Sequence, residues 1–156
     1  MKNLLKSFFV ACFAAIMASG AWAADHGTAE EAVALVKKGI AFYKANGAVK
    51  TFADINQMAK GQFINKDLYL FVGNVKAGPN VAHGANARLV GKELGELKDV
   101  DGVYFVKKFS EIASSKEGKG WVDYKWPNPV TKQVEAKSTY VERVDEFYFA
   151  SGIYKN

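Results

Sequence analysis

Residues 118–140, GKGWVDYKWPNPVTKQVEAKSTY, decide how the C-terminal half of this chain folds. The stretch predicts two β-strands joined at Pro127 and Pro129, because proline cannot donate to a strand ladder. It also concentrates two tryptophans, two tyrosines and one central lysine, namely Trp121, Trp126, Tyr124, Tyr140 and Lys137. Aromatic faces beside a cation and several hydroxyls suit a pocket for a small organic anion, and they equally suit an ordinary sheet core.

The strands on either side extend this pattern. We predict strands at 121–126, 134–144 and 147–154, a buried strand at 68–72 and a short strand at 81–83. Gly73-Asn74 and Gly78-Pro79 mark a hairpin between the last two. Asp101 is expected to cap a helix over 102–114.

The N-terminal part is predicted to be helical. Thr28 and Glu31 form a capping box, in which each side chain satisfies a backbone N–H of the other residue. Apolar residues then recur at helical spacing, at Ala29, Val33, Val36, Ile40 and Tyr43. Asn46-Gly47 ends this helix. A second helix follows, ends near Gly61 or Asn65, and carries Phe52, Ile55, Ala59 and Phe63 on one side.

The order of these elements predicts the fold class. Successive strands joined by tight turns pair antiparallel, and helices that are segregated from the strands give an α+β fold. We therefore expect an antiparallel sheet of about five strands with a long N-terminal helix packed across it.

Residues 1–23 have the features of a cleaved signal peptide. Lys2 and Lys6 precede an uncharged apolar run, and Ala21-Trp22-Ala23 fits a signal peptidase site. Cleavage after Ala23 would leave one domain at 24–156, which has no cysteine and no second apolar run of membrane-spanning length. Export would place this domain in the periplasm or outside the cell. The alternative is that the apolar run is not cleaved and anchors the protein in the membrane.

Charge and motif content argue against several function classes. The leader removes two of the 21 Lys and Arg residues, which leaves 19 against 16 acidic residues and a net charge of +3. These charges are interspersed, so nucleic-acid binding is not expected. No cofactor motif and no metal-ligand spacing occur, and Asp99-Val-Asp101-Gly102 fits a turn better than a calcium loop. The sequence does not exclude an enzyme in which two carboxylates converge in the folded protein, but we expect no catalysis.

Several side chains could bind a small carboxylate. Lys137 is unusual in a central strand, Tyr69, Tyr124 and Tyr140 offer hydroxyls, and His83 precedes a glycine at a loop. Each of these residues could instead belong to the core or to the solvent face. Arg88 could pair with a carboxylate, but in a loop it is more simply explained as a solvated residue. Alternation puts Lys137 and Tyr140 on opposite faces of a regular strand, so a single pocket would need a bulge or would wrap the strand edge.

Seven short motifs, in order, resemble the single Cache domains, especially the soluble type found in bacterial extracytoplasmic sensors. They are residues 32–43, 67–72, 82–84 with 89–92, 99–102, 118–129, 137–141 and 151–154. The resemblance implies a PAS-like fold with a ligand pocket between the sheet and its covering elements. Its ligands would be short carboxylates such as acetate, propionate, pyruvate or lactate. The implied pocket residues are Tyr69, His83, Trp121, Tyr124, Lys137 and Tyr140.

The resemblance also bears on partners. Family members commonly sit in membrane receptors and kinases, whereas no signalling module follows in this sequence, which ends at Asn156. We therefore expect a sensor that reports ligand occupancy to a separate membrane protein. Two other interpretations remain, an interaction module with an empty pocket and a small-acid hydrolase or lyase. Whether the N-terminal helix forms a homodimer is left open.

Overall fold

A computed structural model describes residues 26–76 and 78–155. The predicted signal peptide and its cleavage after Ala23 lie outside the described residues, so they stay predictions. Within the described residues no helix combines the length and apolar character that a membrane span requires.

The N-terminal helix α1, Ala29–Ile55, begins at the predicted capping box. Thr28 Oγ1 accepts from Glu31 N, and the Glu31 carboxylate accepts from Thr28 N. The helix breaks at Gly47, whose φ of 77° is strained for other residues, as Asn46-Gly47 predicted. The part after the break ends at Ile55, earlier than predicted, and a short 3₁₀ turn at Met58–Lys60 leads Phe63 back into the core.

The strands form one five-stranded antiparallel sheet and a small hairpin. The hairpin pairs β1, Ile64–Asn65, with β2, Leu68–Tyr69. The sheet has the order β4-β3-β7-β6-β5. Its strands in chain order are β3 Phe71–Asn74, β4 Ala82–His83, β5 Lys119–Pro127, β6 Val134–Val144 and β7 Phe147–Tyr154. The predicted α+β class and number of strands are confirmed.

Two local predictions were wrong. The expected strand 68–72 divides at Leu70, because its first half pairs in the hairpin and its second half pairs with β7. The second long helix α2, Phe105–Ser114, begins three residues late and is not capped by Asp101. The Asp99 carboxylate instead accepts from the backbone N–H groups of Asp101 and Val103, which holds the chain in a turn before the helix.

The sheet has a separate core on each face. On one face α1 packs its buried side, including Leu35, Val36 and Ile40, against the sheet. On the other face α2 and the loops around it cover a cluster rich in aromatic residues. Alternation along β7 sends Phe149 to the α1 core and Tyr148 and Ala150 to the α2 core. The face covered by α2 holds the candidate site.

Candidate functional site

Four of the six predicted pocket residues meet on the α2 face of the sheet. Tyr124 and Lys137 are direct partners in the β5–β6 pairing, so their side chains share this face. Tyr69 comes from the end of β2, and His83 ends β4 at the other side of the sheet. The rings of Tyr69 and His83 lie 5.0 Å apart between centroids. The fold thus brings together residues from four separate segments.

Lys137 is a buried amine that makes no ion pair with a carboxylate among the described residues. Its side chain is 1% exposed, and Nζ donates to Tyr69 Oη at 2.8 Å and to Tyr154 Oη at 3.2 Å. Nζ also lies 4.0 Å from the centre of the Tyr69 ring. Among the residues that the structure describes, no carboxylate oxygen approaches Nζ within ion-pair distance. Burial holds the pKa of Lys137 well below its usual value, and the charge of Asp67 opposes this shift only in part.

The two tyrosines that bind Lys137 differ in the other hydrogen bonds that their hydroxyl groups make. Tyr154 Oη donates its hydrogen to the Pro127 carbonyl at 2.9 Å. Tyr69 Oη accepts from Lys137, and the Tyr69 hydroxyl also interacts with the hydroxyl of Tyr154. Burial raises the pKa of Tyr69 well above its usual value, so the hydroxyl keeps its proton. The protonated Tyr69 side chain borders the adjoining cavity.

The ring of His83 is fixed in one tautomer. Its Nδ1 accepts from the backbone N–H groups of Ala85 at 3.2 Å and Asn86 at 3.0 Å, so in the neutral ring the proton must lie on Nε2. Burial, together with the nearby charge of Lys137, lowers the pKa of His83 to about 3. His83 is thus a neutral N–H donor, and no described residue accepts from Nε2.

These side chains border a small cavity between the sheet, α2 and the loop before it. The cavity has a volume of about 30 Å³. Its wall contains no acidic residue and is formed by Tyr69, Phe71, Asn80, His83, Leu89, Leu94, Phe105, Val106, Phe109, Tyr124, Trp126 and Tyr148. An outer cleft of about 210 Å³ adjoins it, and both spaces share Tyr69, His83 and Trp126. The polar groups of the wall are hydroxyl, amide and ring N–H groups, which suits a ligand that accepts hydrogen bonds.

Lys137 does not itself line this cavity. It reaches the wall through the Tyr69 hydroxyl, which it contacts directly. Tyr124 lines the cavity with its ring, while its hydroxyl is 3.0 Å from Thr139 Oγ1. His83 therefore presents the free donor among the predicted residues, and Lys137 lies behind the Tyr69 hydroxyl as a buried amine.

The other two predicted residues lie on the opposite face. Trp121 and Tyr140 are direct partners in the β5–β6 pairing, with ring centroids 5.4 Å apart, and Tyr140 belongs to the α1 core. Trp121 is 40% exposed beside α1. The strands run regularly through this region, so residues at odd spacing from Lys137 and Tyr124 must point away from the cavity. The six predicted residues do not form one site, and Arg88 is exposed.

Sequence reasoning missed several residues of the cavity wall. Trp126 shares the parity of Tyr124 on β5, and this alternation could have identified it. Tyr154 binds Lys137 across the β6–β7 pairing, a register that the sequence does not specify. Asn80 gave no signal at all, because it lies in an irregular loop whose path only the fold determines.

Comparisons with known proteins agree with this architecture. The family model "Single Cache domain 2" matches residues 26–154. A methyl-accepting chemotaxis protein from Vibrio parahaemolyticus superposes with a TM-score of 0.68 at 22% identity, covering 80% of this chain and 86% of that one. The structure titled "Structural basis for carboxylic acid recognition by a Cache chemosensory domain" gives a TM-score of 0.60 at 20% identity, covering 81% and 88%. These two likenesses concern the fold.

A curated relative matches part of the chain. The sensor histidine kinase MctS of Rhizobium johnstonii is 32% identical over 87 residues, which are 56% of this chain. The match spans 18% of the length of that kinase. Since the family model covers nearly all the described residues, the chain belongs to the single Cache domain 2 family of extracytoplasmic sensor domains.

Proposed function

We propose that this domain binds a short carboxylate in the cavity between the sheet and α2, without chemical conversion. The observation that carries the proposal is Lys137, a buried amine bonded to two tyrosine hydroxyls with no carboxylate in contact among the described residues. Placing a positive charge on this buried amine without a counter-charge is costly. A bound anion next to Tyr69 would supply that charge.

The wall of the cavity supports an anionic ligand. His83 Nε2–H is a donor without a partner among the described residues, the Tyr69 hydroxyl belongs to a residue that borders the same space, and the lining residues include no acid that would repel a carboxylate. Hydrogen bonds from such donors to an ionised group are about twice as strong as those between neutral groups. The rings of Phe71, Phe105 and Trp126 offer apolar contact for a short carbon chain.

The small volume of the cavity favours a small ligand. About 30 Å³ holds a few water-sized groups at most. A drug-sized molecule needs roughly ten times this space or more. Acetate, propionate, pyruvate and lactate, as acids of only two or three carbons, are the ones we propose, and the structural neighbour named for carboxylic acid recognition is consistent with them. Trp121 and Tyr140 are not part of the proposed site.

The proposed role is sensing. The matched curated relative is a sensor kinase and a structural neighbour is a chemotaxis receptor, so we propose that ligand occupancy is read by a membrane sensor. Export by the predicted signal peptide would place the domain in the periplasm, where such a partner presents its sensor region.

The test is calorimetric titration of protein that has been unfolded and refolded to remove any carried-over ligand. We expect one or more of the four acids to bind, and Lys137→Met to weaken binding more than about 30-fold by removing the buried charge. Lys119→Met is the matched control, since Lys119 is an exposed lysine on the same sheet. Binding that survives Lys137→Met unchanged would remove Lys137 from the site, and a well-folded protein that binds none of the acids would contradict the proposed function.

One observation supports a second candidate, an interaction module. Trp121 is 40% exposed in a shallow groove beside Ala29, Val33 and Lys37 of α1. An exposed tryptophan of this kind is common at protein interfaces. Failure of every acid to bind, combined with loss of a membrane-protein partner in Trp121→Ser, would favour this candidate.

A further inference from the structure

We propose that Asn80 determines specificity by binding a second oxygen of the ligand. The site would then prefer a short carboxylate that carries a hydroxyl or oxo oxygen close to its carboxyl group over the plain acid of the same length. This inference rests on the proposed function and assigns a role to a residue that no sequence motif identified.

The amide of Asn80 is buried and lacks a partner. Asn80 is 5% exposed, and its Nδ2 is one of three buried side-chain atoms without a hydrogen bond among the described residues. The other two are the hydroxyl oxygens of Ser110 and Ser151, and neither residue lines the cavity. An unpaired buried donor is unfavourable, so its retention at a cavity wall indicates a group that binds there.

The loop around Asn80 holds the residue in place. Asn80 N donates to the Lys92 carbonyl at 2.9 Å, and the Asn80 carbonyl accepts from Gly91 N at 2.7 Å. This pair of backbone bonds fixes the main chain against the segment before α2. Asn80 lines the cavity from that fixed position, so its unpartnered amide is held at the cavity wall.

The position of Asn80 separates its role from that of Tyr69 and His83. Tyr69 and His83 line both the inner cavity and the outer cleft, whereas Asn80 lines only the inner cavity. The charge of Lys137 acts through Tyr69, which places the carboxylate on that side. Asn80 then faces the remainder of the ligand. Because the cavity is about 30 Å³, the atom that meets Asn80 must be close to the carboxylate.

The test compares three acids of equal carbon number: propionate, lactate and pyruvate. Calorimetry on the wild type should show lactate, pyruvate or both binding roughly 2- to 13-fold more tightly than propionate, the ratio expected for one neutral hydrogen bond. In Asn80→Leu, which keeps the size and removes the amide, this preference should fall to about one while propionate binds at least as tightly as before.

Ser110→Ala is the matched control, since it removes an equally unpartnered buried polar atom outside the cavity and should leave the preference unchanged. Asn80→Ala is measured in parallel, so that a folding defect specific to leucine cannot hide the result. An equal loss for all three acids, or an intact preference in both Asn80 variants, would overturn the role of Asn80 while the proposed function stands. A wild type that binds none of the acids would instead contradict the proposed function itself.

Discussion

Lys137 Nζ lies 2.8 Å from Tyr69 Oη, although 68 residues separate the two in the chain. The hairpin that carries Tyr69 and the strand β6 that carries Lys137 meet only in the folded protein. The contact joins the one buried lysine among the described residues to the hydroxyl that borders the cavity. The proposed binding chemistry depends on this pair.

Tyr69→Phe should weaken carboxylate binding by about 10-fold or more, because it removes the hydroxyl that holds Lys137 beside the cavity. Calorimetric titration measures the change. Tyr140→Phe is the matched control, since that hydroxyl bonds Glu142 on the opposite face. Equal losses in the two variants would show that the α2 face is not the binding face.

Carboxylate binding should be accompanied by proton uptake. Burial lowers the pKa of Lys137 in the free protein, and a bound anion raises it again, so the protein takes up protons at pH values between the two pKa values. Affinity should therefore weaken as the pH rises through this window. Titrations in buffers of different ionisation enthalpy measure the uptake. Proton release, or uptake that persists in a Lys137→Met variant that still binds, would contradict the assignment.

Stability should depend on His83 in acid. Its pKa is about 3 in the folded protein and about 6.5 when unfolded, so the unfolded state binds more protons between these values. The stabilisation from neutral His83 is complete above pH 6.5 and is lost as the pH falls towards 3, on the order of 5 kcal/mol in the unfolding free energy. Denaturant unfolding from pH 3 to 7 measures it.

His83→Asn is the comparison for this effect. Its Oδ1 can accept from the backbone N–H groups of Ala85 and Asn86 in place of Nδ1 but does not titrate. The variant should lose less stability than the wild type between pH 6.5 and 3. Parallel curves would mean that other groups account for the acid sensitivity.

Gly152→Ala should disturb the site from the neighbouring strand. A Cβ at this position would lie 2.5 Å from Lys137 Cε and 2.2 Å from Thr139 Oγ1, so both side chains would have to move. We expect a loss of about 1–3 kcal/mol in unfolding free energy and weaker carboxylate binding, measured by denaturant unfolding and calorimetry. Gly95→Ala is the control, because a Cβ there meets no atom within 4 Å. Unchanged binding in Gly152→Ala would show that the position of Lys137 is not critical.

The sequence determined the elements and the family. Local rules suffice for the capping box at Thr28, the break at Gly47 and the three final strands, since each depends on neighbouring residues. Alternation also predicted, correctly, that Lys137 and Tyr140 point to opposite faces. The start of α2 was misjudged because Asp99 holds the preceding segment with backbone bonds that composition does not reveal.

Only the tertiary structure decided which residues share a cavity. Strand order places β3 beside β7 and so brings Tyr69 and His83 towards Lys137, a long-range arrangement that no local pattern encodes. The same packing excludes Trp121 from the cavity and buries the amide of Asn80 in its wall. Side-chain type and alternation can be read along one strand, but a binding site is formed where several segments meet, and their meeting is set by the packing of the whole sheet.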